Sequence, residues 1–219
     1  MMITLTADDR TIQAPADSSV LSTCLSAGIY IPHLCWLETD APADAPAACR
    51  LCFVEIDGFG EPVAACAVTV ENGMTVHTGT ELVRSLQKTA LKLLLSVHRV
   101  ECKPCPANRA CQLQTIAKFL GIGLGCKPFE RVLKEPEVDA RHPVLDYYPN
   151  RCVLCGICVR ICRQQHQQTR LSFAGRGFDT VVGYFDADPD AAADCLSCRA
   201  CLEYCPTGAL VQRLSDDGL

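Results

Sequence analysis

The chain has 219 residues, 49% of them apolar, and a formal net charge of −5. That composition is globular rather than disordered, and neither the charge balance nor any basic stripe suits nucleic acid. No apolar run reaches the ~18 residues of a membrane span, the longest, within Ala90–Val97, being broken by Lys92.

Seventeen cysteines dominate the rest. Their odd number, their tight C-x2-C spacings and a polar, strand-like start at Met1 without a signal-peptide pattern argue against a secreted disulfide scaffold. In a reducing compartment such spacings read as metal or redox sites, so a soluble, cytoplasmic protein is expected.

In chain order, Ile3–Thr6 and Thr11–Ala14 flank Ala7-Asp8-Asp9-Arg10, a hairpin signature. Ser18 and Ser19 are N-cap candidates for a helix over Val20–Ala27, stopped by Gly28. Leu51–Asp57 alternates like a strand. Pro62–Val70 and Met74–Thr78 follow, joined by Glu71-Asn72-Gly73 as a hairpin turn. Strands around one helix predict a small β-grasp-like domain over residues 1–80.

Residues 81–126 read as helical, with an apolar stripe of Leu82, Leu86, Leu93, Leu94 and Val97 and a second helix from Cys111 to Leu120. The glycine-rich stretch 121–125 follows a helix rather than a strand, so a dinucleotide site is not expected there. Residues 127–150, with four prolines and mixed charges, read as a linker or extended strap. Residues 151–212 carry an internal repeat with short strands at Leu171–Phe173 and Thr180–Phe185, which implies a pseudo-two-fold α+β domain. Residues 215–219 read as a frayed end.

The cysteines fall into constellations. Cys35, Cys49, Cys52 and Cys66 form C-x13-C-x2-C-x13-C. Two local and two distant thiolates suit a [2Fe–2S] centre, and a structural zinc site is the alternative. His98, Cys102, Cys105 and Cys111 form H-x3-C-x2-C-x5-C. Taken alone, that motif is ambiguous between an iron–sulfur site, a zinc site and an incidental histidine, and a further acceptor would have to orient the His98 ring.

The strongest signal is C-x2-C-x2-C-x3-C, present as Cys152, Cys155, Cys158, Cys162 and again, 43 residues on, as Cys195, Cys198, Cys201, Cys205. This is the two-cluster bacterial ferredoxin pattern, in which the fourth cysteine of each run ligates the other cluster. The expected sets are therefore Cys152, Cys155, Cys158 with Cys205, and Cys195, Cys198, Cys201 with Cys162. Arg163 replaces the proline that Pro206 supplies after the second run. Cys24 reads as a buried core thiol and Cys126 as non-ligating; His33, His77, His142 and His166 read as ordinary.

The ordered motifs carry a resemblance. Pro32-His33-Leu34-Cys35, Cys49-Arg50-Leu51-Cys52 with Val54-Glu55, and Ala65-Cys66 resemble the N-terminal [2Fe–2S] domain of the complex I large iron–sulfur subunit. His98 to Cys111, continuing Gln112-Leu113-Gln114, resembles the His/Cys3 [4Fe–4S] segment of that family, which implies that His98 is a ligand. Cys205-Pro206-Thr207-Gly208-Ala209-Leu210 resembles the ferredoxin domain of NADH-dependent iron-only hydrogenases. With neither a hydrogen-cluster nor a molybdopterin-type domain, the layout is similar to the small diaphorase subunit of NAD-linked [NiFe]-hydrogenases and to its counterpart in NAD-linked formate dehydrogenases.

The resemblance implies an α+β relay in three parts: a plant-type [2Fe–2S] β-grasp domain over 1–80, a helical His/Cys3 domain over 81–126 and, after the linker 127–150, a two-[4Fe–4S] ferredoxin domain over 151–212. It implies one [2Fe–2S] and three [4Fe–4S] clusters, FMN and NAD(H) only in a partner subunit, and a hydrogenase or formate dehydrogenase catalytic partner. No catalytic site of its own and no direct membrane insertion are expected. Four clusters would take the charge to roughly −12.

Overall fold

The computed structural model describes residues 1–167, 170–185 and 191–213; the end expected to fray, 215–219, lies outside them. The chain divides into two compact units, Met1–Leu93 with Ile116–Gly123, and Leu94–Thr115 with Leu124–Leu219.

The first unit is built on a mixed five-stranded sheet. Strands β1 (Met2–Ala7) and β2 (Arg10–Pro15) pair antiparallel through Asp8 and Asp9, both at positive φ, the two-residue turn whose twist matches a hairpin. Helix α1 (Val20–Ser26) follows. Ser19 caps it, accepting from the Ser22 N–H at 3.0 Å while Ser22 Oγ accepts from the Ser19 N–H at 3.1 Å. Strands β3 (Phe53–Ile56), β4 (Val63–Ala64) and β5 (Thr75–His77) complete the order β2-β1-β5-β3-β4, with β1 and β5 parallel. Val20, Leu21 and Cys24 of α1 pack on Leu5, Val54 and Val76 of the sheet, all fully buried.

The expected hairpin between 62–70 and 74–78 does not form. β4 ends after two residues, and a 3₁₀ turn, Ala65–Ala67, carries Cys66 away from the sheet. Glu71-Asn72-Gly73 is a turn docked on β1: the Thr4 N–H donates to Asn72 Oδ1 at 3.0 Å, and the Gly73 N–H to the Thr4 carbonyl at 2.7 Å.

Helices α2 (Glu81–Ser96) and α3 (Gln112–Phe119) follow. The face of α2 that is buried is Val83, Gln87, Ala90, Leu91 and Leu95. The predicted leucine stripe is thus displaced, and Leu82 and Leu93 are half exposed. Gln87 is accommodated because its amide donates to the Phe53 carbonyl at 3.0 Å and accepts from Arg84 at 2.9 Å.

In the second unit, strand β6 (Leu145–Tyr147) pairs with β9 (Leu210–Gln212), and β7 (Leu171–Ala174) with β8 (Val181–Tyr184). Each pair takes one strand from each half of the repeat. Helices α4 (Ile157–His166) and α6 (Ala200–Glu203) pack against one another, with α5 (Ala191–Cys198) before α6. Arg163, where the second run has proline, lets α4 continue a full turn past Cys162.

Residues 127–144 run as an extended strap pinned to this unit. Asn150, almost fully buried, holds it: the Lys134 N–H donates to Asn150 Oδ1 at 2.7 Å, and Asn150 Nδ2 donates to the Lys134 carbonyl at 2.9 Å.

Candidate metal centres

In the first unit Cys35, Cys49, Cys52 and Cys66 are all buried, Cys35 and Cys49 in the loop after α1, Cys52 just before β3 and Cys66 in the 3₁₀ turn after β4, with Cys35 beside Cys49 and Cys52 beside Cys66. The Cys49 N–H donates to Cys35 Sγ at 3.4 Å. Hydrogen bonding to the Cys35 thiol, then burial and the neighbouring charge, hold Cys49 well above the usual cysteine range. Cys52 is held up the same way by Cys66, whereas Cys66, accepting within that pair, is lowered. Four mutually repelling buried sulfurs are costly to ionise without a cation among them. As a donor set they fit a thiolate-bound metal centre.

In the second unit, His98, Cys102, Cys105 and Cys111 line one cavity with Gln114, Arg151 and Thr207. The chain winds round it in successive turns: the Cys105 N–H donates to the Cys102 carbonyl at 3.1 Å and the Asn108 N–H to the Cys105 carbonyl at 3.0 Å. Gln114 of α3 fastens the loop, accepting from the Arg109 N–H at 2.9 Å and donating to Asn108 Oδ1 at 3.0 Å. His98 sits just past the end of α2, its N–H on the Leu95 carbonyl.

The His98 ring is buried and hydrogen-bonded to the Arg151 backbone, and its Nδ1 has no partner. Burial, and to a smaller extent the charges of Arg131 and Arg151, lower its pKa, so the ring is neutral and offers a lone pair. A ring with an orphaned nitrogen, lining the same cavity as three cysteines, fits a fourth ligand. The orienting acceptor that the sequence left unnamed is the Arg151 backbone.

The repeat supplies two further sets. Cys162, Cys195, Cys198 and Cys201 line one cavity together with His142, His166, Arg170 and Arg199. Cys162 is thus beside the cysteines of the other run rather than its own. Burial first, then the charges of Cys162, Cys195 and Cys198, push Cys201 up to about 12. Cys195 is raised by burial and held back by Arg170.

The remaining set is centred on Cys158. Burial raises its thiol well above the usual range, followed by the charges of Cys152, Cys155 and Cys205. Cys152 Sγ accepts from the Leu154 N–H and Cys205 Sγ from the Ala209 N–H, both at 3.3 Å. Tyr147, whose phenol oxygen accepts from the Val182 N–H at 3.3 Å, also hydrogen-bonds Cys152 and so offsets part of its burial.

Thr207, which follows this set, reaches the His98 cavity, and the Gln112 N–H donates to the Pro206 carbonyl at 3.0 Å. The His98 and Cys205 sites are therefore neighbours. All seventeen cysteines are free thiols, and among the described residues no three His, Cys, Asp or Glu groups surround one bare-ion position.

Of the residues read as ordinary, His33 pairs its Nδ1 with the Ile31 carbonyl at 2.8 Å and His77 pairs with Asp57 at 2.9 Å. His142 and His166 do line a cysteine cavity. His166, one helical turn after Cys162, had a readable signal; His142 had none. Cys24 is fully buried in the core, and the Cys126 thiol donates to the Phe129 carbonyl at 3.5 Å.

Three family models match successive parts of the chain. A 2Fe-2S iron-sulfur cluster binding domain matches residues 1–81. The NADH-ubiquinone oxidoreductase-G iron-sulfur binding region matches 87–123, and a 4Fe-4S dicluster domain matches 124–209. Fold and site together define an iron–sulfur protein of mixed sheet and helix. The chain belongs to the family of iron–sulfur electron-transfer subunits related to NADH-quinone oxidoreductase G-type and NAD(P)-linked hydrogenase subunits.

Among relatives, the NADPH-Fe(3+) oxidoreductase subunit alpha of Geobacter sulfurreducens is 31% identical over 97% of this chain and 24% of its own length. The NADP-reducing hydrogenase subunit HndD of Solidesulfovibrio fructosivorans is 32% identical over 96% of this chain and 36% of its own. This chain thus spans about a quarter to a third of these curated relatives. A chain of NAD+-reducing [NiFe]-hydrogenase, crystallised in the H2-reduced state, superposes with a TM-score of 0.82 at 31% identity. That match covers 97% of this chain and 88% of the other. No helix among the described residues is long and apolar enough to cross a membrane.

Proposed function

We propose that the chain is a four-cluster relay. It would hold one [2Fe–2S] centre on Cys35, Cys49, Cys52 and Cys66 in a β-grasp domain. A [4Fe–4S] centre would sit on His98, Cys102, Cys105 and Cys111, and a ferredoxin-like pair on Cys152, Cys155, Cys158, Cys205 and on Cys162, Cys195, Cys198, Cys201. The observation that carries this reading is the cavity in which Cys162 joins the three cysteines of the other run. Crossed ligation accounts for a repeat that interlocks its two halves in that way.

Bound clusters would supply one-electron storage and transfer. The residues supply the rest. Burial excludes water, backbone N–H groups steady Cys35, Cys152 and Cys205, and neutral His98 replaces one thiolate and its charge.

The partners proposed are a flavin- and NAD(H)-binding subunit and a catalytic subunit, most naturally a hydrogenase given the likeness to a hydrogenase chain along nearly its whole length. The [2Fe–2S] site is proposed as the end nearest the flavin, the ferredoxin pair as the end facing the catalytic partner, and the complex as a soluble, cytoplasmic one. The equivalent relay in an NAD-linked formate dehydrogenase is the second reading, since the residues of the relay do not distinguish the terminal substrate.

Anaerobic purification with metal analysis tests the proposal. About 14 iron atoms with matching labile sulfide are expected per chain, with axial or rhombic EPR signals on dithionite reduction. A colourless protein carrying zinc would refute it.

A further inference from the structure

Arg170 is a buried cation, 6% exposed. Its Nη1 donates to Cys195 Sγ at 3.7 Å, and its Nη2 to Asp194 Oδ2 at 2.9 Å. The Asp194 side chain is 61% exposed, so solvent screens that ion pair. A guanidinium stays charged, and burying it demands a counter-charge. The thiolate of Cys195, itself partly buried, is placed to add to that of Asp194.

The other cysteine set of the repeat is furnished differently. Cys152 and Cys205 take their hydrogen bonds from the Leu154 and Ala209 N–H groups and from the Tyr147 phenol, all neutral. Lys134 acts on Cys152 as the weakest of the influences on it. Hydrogen bonds to ligating sulfur and nearby positive charge both favour the more negative, reduced state of an iron–sulfur centre, and a charge-assisted bond does so more strongly than a neutral one.

We propose that Arg170 is a tuning residue, which through its N–H···S contact with Cys195 raises the reduction potential of the centre held by Cys162, Cys195, Cys198 and Cys201. The inference rests on the ligand reading above. The process is a pure electron transfer: one electron leaves a donor, here its sister site or added dithionite, and one arrives at the Cys195 site. No bond forms or breaks and no proton moves. Arg170 touches neither electron donor nor acceptor iron and works through the sulfur of Cys195.

The test is an EPR-monitored redox titration of the anaerobically purified full chain with its clusters. The Cys198→Ser variant first identifies the signal of this centre; an unaltered spectrum there would refute the ligand reading, independently of Arg170. Arg170→Gln is expected to move the midpoint of that signal to lower potential while the other three stay in place. Arg170→Lys, keeping the charge, should recover part of the shift. Asp194→Asn removes the competing anion and should move the same midpoint upward. A centre that keeps its iron in Arg170→Gln with an unmoved or raised midpoint overturns the proposal. If Arg170→Gln does not retain the centre, the remaining two variants decide it, and a downward or absent shift in Asp194→Asn is then the refuting result.

Discussion

Gly208 lies so close to the His98 cavity loop that a Cβ on it would stand 2.8 Å from the Ala107 Cβ and 3.6 Å from Cys105 Sγ. Its φ of +65° adds backbone strain for any other residue. The turn after Cys205 and the loop bearing Cys105, distant in sequence, therefore meet closely at one glycine. Gly208→Ala is expected to disturb the His98 site and to weaken or abolish its EPR signal, with loss of up to about four iron atoms. The [2Fe–2S] signal should be unaltered, and a wild-type spectrum would show that the loop yields freely.

The two kinds of cysteine separate on their neighbours. Cys155 belongs to the set whose charges act on Cys158, whereas Cys126 stands outside the four sets and donates its S–H to the Phe129 carbonyl three residues on. Cys155→Ala is expected to cost one [4Fe–4S] centre, or to leave it as a three-iron remnant, and to lower electron transfer through the chain. Cys126→Ala should leave iron content and spectra unchanged. Iron loss in the Cys126 variant would contradict the assignment.

The sequence was most readable where the determinants are local. Asp8 and Asp9 supply the positive-φ turn that joins β1 to β2, and Ser19 caps its helix through the residues next to it. The tight C-x2-C spacings are likewise local, whereas the place of Cys162 beside Cys195, Cys198 and Cys201 is set by tertiary approach.

Legibility failed where distant partners decide. β5 pairs in parallel with β1 across some seventy residues, which nothing at Asn72-Gly73 announces. Leu82 and Leu93 suit any helix through propensity alone and so misplaced the buried face. Gln87 is buried only because the Phe53 carbonyl waits for it. Thr207 and Gly208, the Arg151 backbone, and the Arg170 contact with Cys195 belong to the same class, being set by tertiary approach.

Asn150 governs how the strap 127–144 is held. Its side chain satisfies both backbone groups of Lys134 in a buried setting, and its own carbonyl accepts from the Arg99 N–H at 2.7 Å, one residue after His98. Asn150→Ala leaves the two Lys134 groups without partners, at about 1–3 kcal/mol for each group that water does not reach. The expected outcome is faster amide hydrogen exchange at Lys134 and an earlier unfolding transition. Unchanged exchange at Lys134 would mean that the strap is held by other contacts.

Cys24 gives the clearest pH dependence away from the metal centres. Its thiol is fully buried in the sheet–helix core; burial, and secondarily the charge of Asp8, raise its pKa from 9.0 to about 12. Once unfolded, the thiol ionises near its ordinary value, so between pH 9 and about 12 the unfolded state has released a proton that the folded state retains. Stability then falls as pH rises through that window, and the contribution is complete below it. The full window corresponds to a loss on the order of 3–4 kcal/mol. Cys24→Ala should cost about 1–2 kcal/mol at pH 8, for the small cavity it leaves, yet lose less stability than wild type on going to pH 11. The difference between the two proteins, measured by anaerobic denaturant unfolding, cancels the alkaline sensitivity they share. In the folded protein at pH 8 Cys24 should also resist iodoacetamide. Parallel pH profiles for the two proteins, or ready alkylation, would show that the thiol is neither as enclosed nor as perturbed as its place between α1 and the sheet requires.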